Sequence, residues 1–198
     1  MKRTLLLLFV FSLYRVAFAQ KDDFYTRAIL SYQKKYVAEH EVVNKNDKKY
    51  FRFFPINKAY QVTCSFERII DTTGFSMKTS ANMLKHYFKY GRLNFKISGT
   101  DCHLYVYQSK DLMQTEKYRN YLFVPFTDAT TGDESYGSGR YIEFYIKDIQ
   151  NNMLQLDFNK AYNPYCAYAA GYKCPIPPRE NNLLLAIKAG EKNFAIGH

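Results

Sequence analysis

Across residues 22–38 the apolar positions Phe24, Ala28, Tyr32 and Tyr36 recur every four residues, with Ile29 beside them. That spacing lines one face of an α-helix, and Asp22 or Asp23 stands where an N-cap is needed. The pattern predicts an N-terminal amphipathic helix packing on the domain. The polar run 40–49 reads as a loop, and beyond it the period drops to two. Tyr60, Val62, Cys64 and Phe66 alternate with Gln61, Thr63, Ser65 and Glu67, while Leu93, Phe95 and Ile97 alternate with Asn94, Lys96 and Ser98. Each set describes a strand with one buried face. Further strands are expected at 50–54, 75–79, 103–108, 121–126, 140–146, 153–158 and 183–187. Tyr90-Gly91, Ser98-Gly99-Thr100-Asp101 and Asn151-Asn152 read as turns between strands. Short strands at this spacing, without helices between them, predict a mainly β fold: an antiparallel sandwich or open barrel with one N-terminal amphipathic helix.

The first residues follow a different pattern. Lys2 and Arg3 precede an apolar run from Leu5 to Leu13, and Ala17-Phe18-Ala19 follows as a small-x-small sequence. This is the layout of a cleavable secretion signal. The apolar run is about half of the roughly 20 residues needed to cross a bilayer. Cleavage after Ala19 is expected to leave residues 20–198 as a single β-rich domain. Its location would be periplasmic or extracellular, with no transmembrane segment in the mature chain.

Composition changes the picture in two ways. The net charge of +10 falls to +7 once Lys2, Arg3 and Arg15 leave with the signal, and the excess is spread along the chain. No recognition motif accompanies it, so nucleic acid is not an expected partner, whereas weak attraction to anionic polysaccharide or a membrane surface is compatible with it. Tyrosine supplies 19 residues and phenylalanine 16, and tryptophan is absent. Tyrosine fills strand faces while keeping its hydroxyl wet, which suits sheets with one exposed side. A sugar-stacking or other ligand face is the alternative use of the same residues.

The C-terminal half carries the unusual stretches. They are 126–132 followed by Tyr136-Gly137-Ser138-Gly139-Arg140-Tyr141, then Asp157-Phe158-Asn159-Lys160-Ala161-Tyr162-Asn163-Pro164-Tyr165-Cys166. Cys174-Pro175-Ile176-Pro177-Pro178-Arg179-Glu180-Asn181 and Ala189-Gly190-Glu191-Lys192 complete the set. In this order the motifs resemble the family of bacterial proteins catalogued as domain of unknown function 1684. The resemblance covers about the last seventy residues closely, and the strands from Tyr90-Gly91-Arg92-Leu93 more loosely. It implies no reaction. Tyr165 stands where a second proline is common in that family, and Asn182 where an arginine often follows the asparagine.

Each stretch supports two readings. Asp128 with Thr130 can close an Asx-type turn, with Gly132, Gly137 and Gly139 supplying left-handed conformations. Alternatively, those glycines let a ligand approach the backbone and Arg140 clamps its carboxylate or phosphate, unless Arg140 simply pairs with Asp157. Asp157, Asn159, Tyr162 and Asn163 either stitch an irregular crossover to the sheet or line a pocket with Glu180, Asn181 and Glu191. The sharper structural expectation is one connected cluster of Arg140, Asp157, Asn159 and Tyr162 holding the segment that follows Asp157. Among the cysteines at 64, 102, 166 and 174, three complete pairings exist. In an oxidising compartment Cys166 with Cys174 is the leading disulfide, because their loop returns through Gly171. No metal or cofactor is expected. His103 lies in a strand pattern, and no histidine between His103 and His198 is placed to activate a cysteine.

Two classes of function follow. One is an exported, non-catalytic binding or structural module for a small molecule, glycan or envelope component. The other is a hydrolase-like or transferase-like enzyme using Asp128, Arg140, Asp157 and Glu180 or Glu191. An enzyme needs several of these side chains converging on one open cleft.

Overall fold

A computed structural model describes residues 24–195. The expected secretion signal, its expected cleavage after Ala19, and the expected cap at Asp22 or Asp23 lie outside them. The chain divides into two compact units, one ending at Glu39 and one beginning at His40. In the first, residues 24–39 form a continuous helix, α1, as expected, but its buried positions are Ile29 and Gln33, whereas Phe24 and Ala28 of the four-residue repeat are exposed.

The second unit is one curled antiparallel sheet, a half-barrel. Its strands are β1 (Gln61–Arg68), β2 (Phe75–Lys78), β3 (Leu84–Ile97), β4 (Thr100–Ser109), β5 (Tyr121–Phe126), β6 (Arg140–Tyr145) and β7 (Met153–Asp157). A single helical turn, α2 (Lys110–Met113), follows β4. The strand order is β6-β5-β4-β3-β1-β7, with β2 paired to β3. The sheet curls around a core to which all six strands of that path contribute, including Cys64, Leu93, Leu104, Val106, Leu122 and Leu156.

Local chemistry sets the register. β3 and β4 pair from Ile97↔Thr100 through Ser98-Gly99, both at positive φ, the geometry of a two-residue hairpin turn. Asn151 and Asn152, also at positive φ, turn the chain into β7. Tyr90-Gly91 is not a turn. The pairing of β3 with β4 shifts between Lys89 and Gly91, so the glycine sits at a bulge and the strand continues. A Cβ on Gly91 would stand 2.3 Å from the Phe66 ring, so its absence permits close approach to β1.

Two expected strands do not form. Residues 50–54 meet the tail through the isolated bridge Phe53↔Glu191, after a 3-10 turn at Lys48–Tyr50 and before Pro55. Residues 183–187 keep an alternating burial pattern, with Leu183 and Ile187 inward and Leu184 outward. They nevertheless run beside 127–129 on scattered contacts such as Leu183 N to Thr127 O at 2.8 Å and Ala129 N to Leu185 O at 3.2 Å. Side chains hold that segment instead of a ladder.

Cys166 and Cys174 are joined, with Cα atoms 6.3 Å apart, and the loop between them turns at Gly171, whose φ is +90°. Cys64 and Cys102 are unbridged and buried. Burial pushes the Cys64 thiol up to about 12, the opposite of what a nucleophile needs.

Candidate functional site

The residues singled out in the C-terminal motifs divide between two places. The larger group is buried. Arg140 opens β6 with its side chain fully enclosed. One Nη2 hydrogen bond goes to Asp128 Oδ2 at 2.7 Å and another to the Ile187 carbonyl at 2.8 Å. Nη1 donates to the carbonyls of Ala189 and Glu191. The guanidinium lies between the rings of Phe54 and Phe126, 5.5 and 5.4 Å from their centroids. Burial lowers its pKa and the Asp128 carboxylate opposes that shift, so the cation is retained by its partner.

Asp128 forms the turn expected of it. Oδ1 accepts from Thr130 N at 2.8 Å, Thr130 Oγ1 at 2.7 Å and Ile187 N at 3.2 Å. Arg140 pairs with Asp128 and not with Asp157. The β5–β6 loop and the C-terminal tail meet at the guanidinium, whereas Asp157 caps the turn that follows β7, accepting from the Asn159 backbone at 3.0 Å. The expected single cluster of Arg140, Asp157, Asn159 and Tyr162 is therefore several separate ones.

Three further motif residues replace missing backbone pairing. Asn159 accepts from Asn57 N at 3.0 Å and donates to Asn57 O at 2.9 Å. Asn181 accepts from Tyr105 N at 2.7 Å and donates to Tyr105 O at 2.9 Å and Pro125 O at 2.8 Å. The reason is visible in the sheet. The register Tyr107↔Phe123 of β4 and β5 would next oppose Tyr105 to Pro125, which has no N–H to offer. The Asn181 amide enters that gap and supplies both halves of the missing pair. Asn163 N donates to Glu191 Oε2 at 2.9 Å, and Tyr168 OH donates to Glu191 Oε1 at 2.6 Å. Gly190, at φ +76°, lets this tail pass within 2.6 Å, by its virtual Cβ, of the Phe158 and Ala161 carbonyls.

The second place is the opposite face of the sheet. Met77, Tyr87, Tyr107, Phe123 and Tyr141 form a separate aromatic cluster, with Phe75, Tyr105, Tyr121 and Tyr162 packed on it. Strand registers Lys89↔Tyr107, Tyr107↔Phe123 and Phe123↔Glu143 place these four residues in one row across β3, β4, β5 and β6. With neighbouring strands about 4.8 Å apart, the row spans roughly 14 Å. Its ends are charged and its middle is aromatic.

Glu143 is exposed, and its Oε2 accepts from Tyr162 OH at 2.6 Å and from Tyr121 OH. Burial raises the pKa of both phenols well above the usual value, with the carboxylate adding to the shift, so both stay protonated donors. At the other end Glu180 accepts from Tyr107 OH at 2.7 Å and pairs with Lys89 at 2.9 Å. The Lys89 ammonium also lies 4.2 Å from the Tyr105 ring centroid. Of the predicted site residues, Glu180 and Tyr162 belong to this face. Glu143, Lys89 and the tyrosine rows were not singled out from sequence. The available signal was the acid between aromatics in Tyr141-Ile142-Glu143-Phe144-Tyr145.

A further concavity of about 800 Å³ opens where β1 and β3 separate beyond Ser65↔Asn94, lined by Gln61, Thr63, Ser65, Asn94 and Lys96, among others. Its one carboxylate, Asp101, is paired with Lys96 at 3.0 Å. Among the described residues no group of three or more His, Cys, Asp or Glu is placed to hold a metal ion, and no helix is long and apolar enough to cross a membrane.

A curled antiparallel half-barrel whose C-terminal tail is pinned by a buried arginine defines the structural class. Residues 29–192 match the family described as a protein of unknown function, DUF1684, and the chain belongs to that family. The chain is also similar to the solution NMR structure of the uncharacterized protein from gene locus rrnAC0354 of Haloarcula marismortui. The two are 28% identical, the alignment covers 88% of this chain and 96% of that one, and the TM-score is 0.64. No curated protein matches the chain.

Proposed function

We propose that this chain is an exported, non-catalytic binding module, and that its ligand face is formed by Glu143, Glu180 and the half-buried tyrosines beside them, Tyr105, Tyr121, Tyr145 and Tyr162. One observation carries the reading. Of the residues that hydrolysis or group transfer would call on, Asp128, Arg140, Asp157 and Glu191 are buried and bonded within the fold, which leaves Glu180 as the exposed one. General acid–base chemistry needs such groups within reach of a substrate proton. The accessible carboxylates, Glu143 and Glu180, instead stand on the opposite face of the sheet beside the half-buried rings of Tyr105, Tyr121, Tyr145 and Tyr162, while Tyr107 and Phe123 between them are buried.

That arrangement suits a polyhydroxylated ligand such as a glycan. Flat rings pack against the apolar faces of sugar rings, and carboxylates accept hydroxyl hydrogen bonds. Export is supported by Lys2, Arg3, the short apolar run and Ala17-Phe18-Ala19, and agrees with the Cys166–Cys174 bridge. Intact-mass measurement of secreted protein should give a chain beginning at Gln20, and a mature form retaining Met1 would contradict export by cleavage. The binding reading is tested by titrating a panel of neutral and cationic oligosaccharides. Binding without turnover, lost in Glu143→Gln, is the expected result. Product release abolished by Glu143→Gln or Glu180→Gln would make the protein an enzyme instead.

A further inference from the structure

The tip of the β2–β3 hairpin and the disulfide loop beside it present apolar side chains to solvent. Leu84 is 62% exposed, Met83 46%, Ile176 41% and Tyr172 38%. Isolated exposed leucines are ordinary, but these are contiguous. Lys78 pairs with Leu84 across the hairpin, and Ile176 N donates to Lys78 O at 2.8 Å beside the Thr79↔Pro175 bridge. Strand alternation then sets Leu84, Lys78 and Ile176 in one row across roughly 10 Å.

The tip is also braced. Thr79 N donates to Met83 O at 2.9 Å, and Met83 N donates to Thr79 Oγ1 at 3.2 Å. Ser80 N donates to Cys174 O at 2.9 Å, and Ser80 Oγ donates to Tyr172 O at 3.1 Å. The two loops are thereby joined, and the bonds hold the apolar residues outward at a fixed spacing.

The hairpin tip and the disulfide loop carry lysines and no acidic residue of their own. Lys78 and Lys173 are exposed, whereas the half-buried Lys85 pairs with Met77 and faces the other side of the hairpin. No acidic residue occurs between Asp71 and Asp101 or between Asp157 and Glu180. Asp71 is turned to the other end of the hairpin, where it accepts from Gly74 N and Lys89 N. Glu180 is engaged by Tyr107 and Lys89 on the tyrosine face.

We propose that this tip is a docking surface for an anionic lipid bilayer, with Leu84 and Ile176 entering the headgroup boundary and Lys78 and Lys173 meeting the headgroups. Apolar side chains gain from leaving water at that boundary, and nearby lysines add attraction to anionic lipid. A soluble polyanion matches the charge but offers nothing to Leu84 and Ile176. A second copy of the same tip would set lysines against lysines.

The test uses the mature chain with vesicles of mixed phosphatidylglycerol and phosphatidylcholine, compared with pure phosphatidylcholine. The chain should sediment with the anionic vesicles, release as salt is raised, and leave the neutral vesicles largely unbound. Leu84→Ser with Ile176→Ser should weaken vesicle binding by about tenfold or more. Thermal unfolding should show that this variant is folded. Lys78→Glu with Lys173→Glu should remove the preference for anionic vesicles. The inference fails if the wild type does not sediment with anionic vesicles. It fails equally if the folded serine variant binds them as well as wild type while both bind dextran sulfate, which would reduce the contact to a general attraction for polyanions.

Discussion

Arg140 and Glu143 stand three residues apart on β6, and the odd spacing sends them to opposite faces of the sheet. Arg140 is enclosed, paired with a buried carboxylate and bonded to three carbonyls of the tail. Glu143 is exposed and holds two tyrosine hydroxyls. Both are charged side chains in hydrogen-bonded networks, so residue type alone does not separate scaffold from surface. Access does. Both carboxylate oxygens of Asp128 accept from the protein's own groups, whereas the Glu143 carboxylate remains open to solvent and to a hydroxyl offered from outside.

The comparison can be broken most forcefully at Arg140. Arg140→Ala strands Asp128 in the interior without its cation, and the expected loss is about 3 to 5 kcal/mol in denaturant unfolding. A loss below about 1 kcal/mol would mean that the tail is held by something other than the clamp. Asn181→Leu comes next. It keeps the volume but leaves Tyr105 N–H and the Tyr105 and Pro125 carbonyls without their partner. Unfolding should be easier by about 2 to 3 kcal/mol, and amide exchange at Tyr105 should quicken more than at Leu104.

His40 yields an effect that depends on pH. Its ring lies 4.5 Å from that of Tyr168 and 5.0 Å from that of Phe51, and Nδ1 accepts from Val43 N at 3.2 Å. Burial, helped by Lys48, lowers its pKa from 6.5 to about 4. The folded state therefore binds its proton later than the unfolded state does on acidification. The contribution is fully present above pH 6.5 and is lost as pH falls towards 4, amounting to about 3 kcal/mol. His40→Gln should flatten the stability profile across that window, and an unchanged slope would remove His40 as its source.

Glu143→Gln sharpens the other side of the comparison. The amide oxygen still accepts from Tyr121 and Tyr162, so stability should change by less than about 0.5 kcal/mol. A larger loss would place Glu143 with Arg140 in the scaffold.

Where periodicity decides structure, the chain can be read directly. The four-residue repeat of Phe24, Ala28, Tyr32 and Tyr36 marks α1 but not its buried positions, which are Ile29 and Gln33, and the alternation around Cys64 and Phe95 becomes β1 and β3. Cys166 and Cys174 pair because a short loop with a left-handed glycine returns the chain. The same rules mislead in the tail. Residues 183–187 alternate as a strand does, but their polar groups are taken by Thr127, Asp128 and Arg140. The partner of Arg140 was not legible, since Asp128 and Asp157 are both nearby in sequence and only the meeting of loop and tail selects between them. Asn181 could be marked as unusual, but its task depends on Pro125 falling opposite Tyr105, a matter of register. Glu143 reads as an ordinary outward strand position until the sheet brings Tyr121 and Tyr162 to it.

The separation of scaffold from surface is tested most directly by following tyrosine ring resonances while the oligosaccharide panel is added. Shifts centred on Tyr105, Tyr121, Tyr145 and Tyr162, with Tyr168 beside Glu191 unmoved, are the expected result. Shifts centred on Tyr168 and on the rings of Phe54 and Phe126, with the tyrosine face unmoved, would place the ligand at the clamp and contradict the assignment.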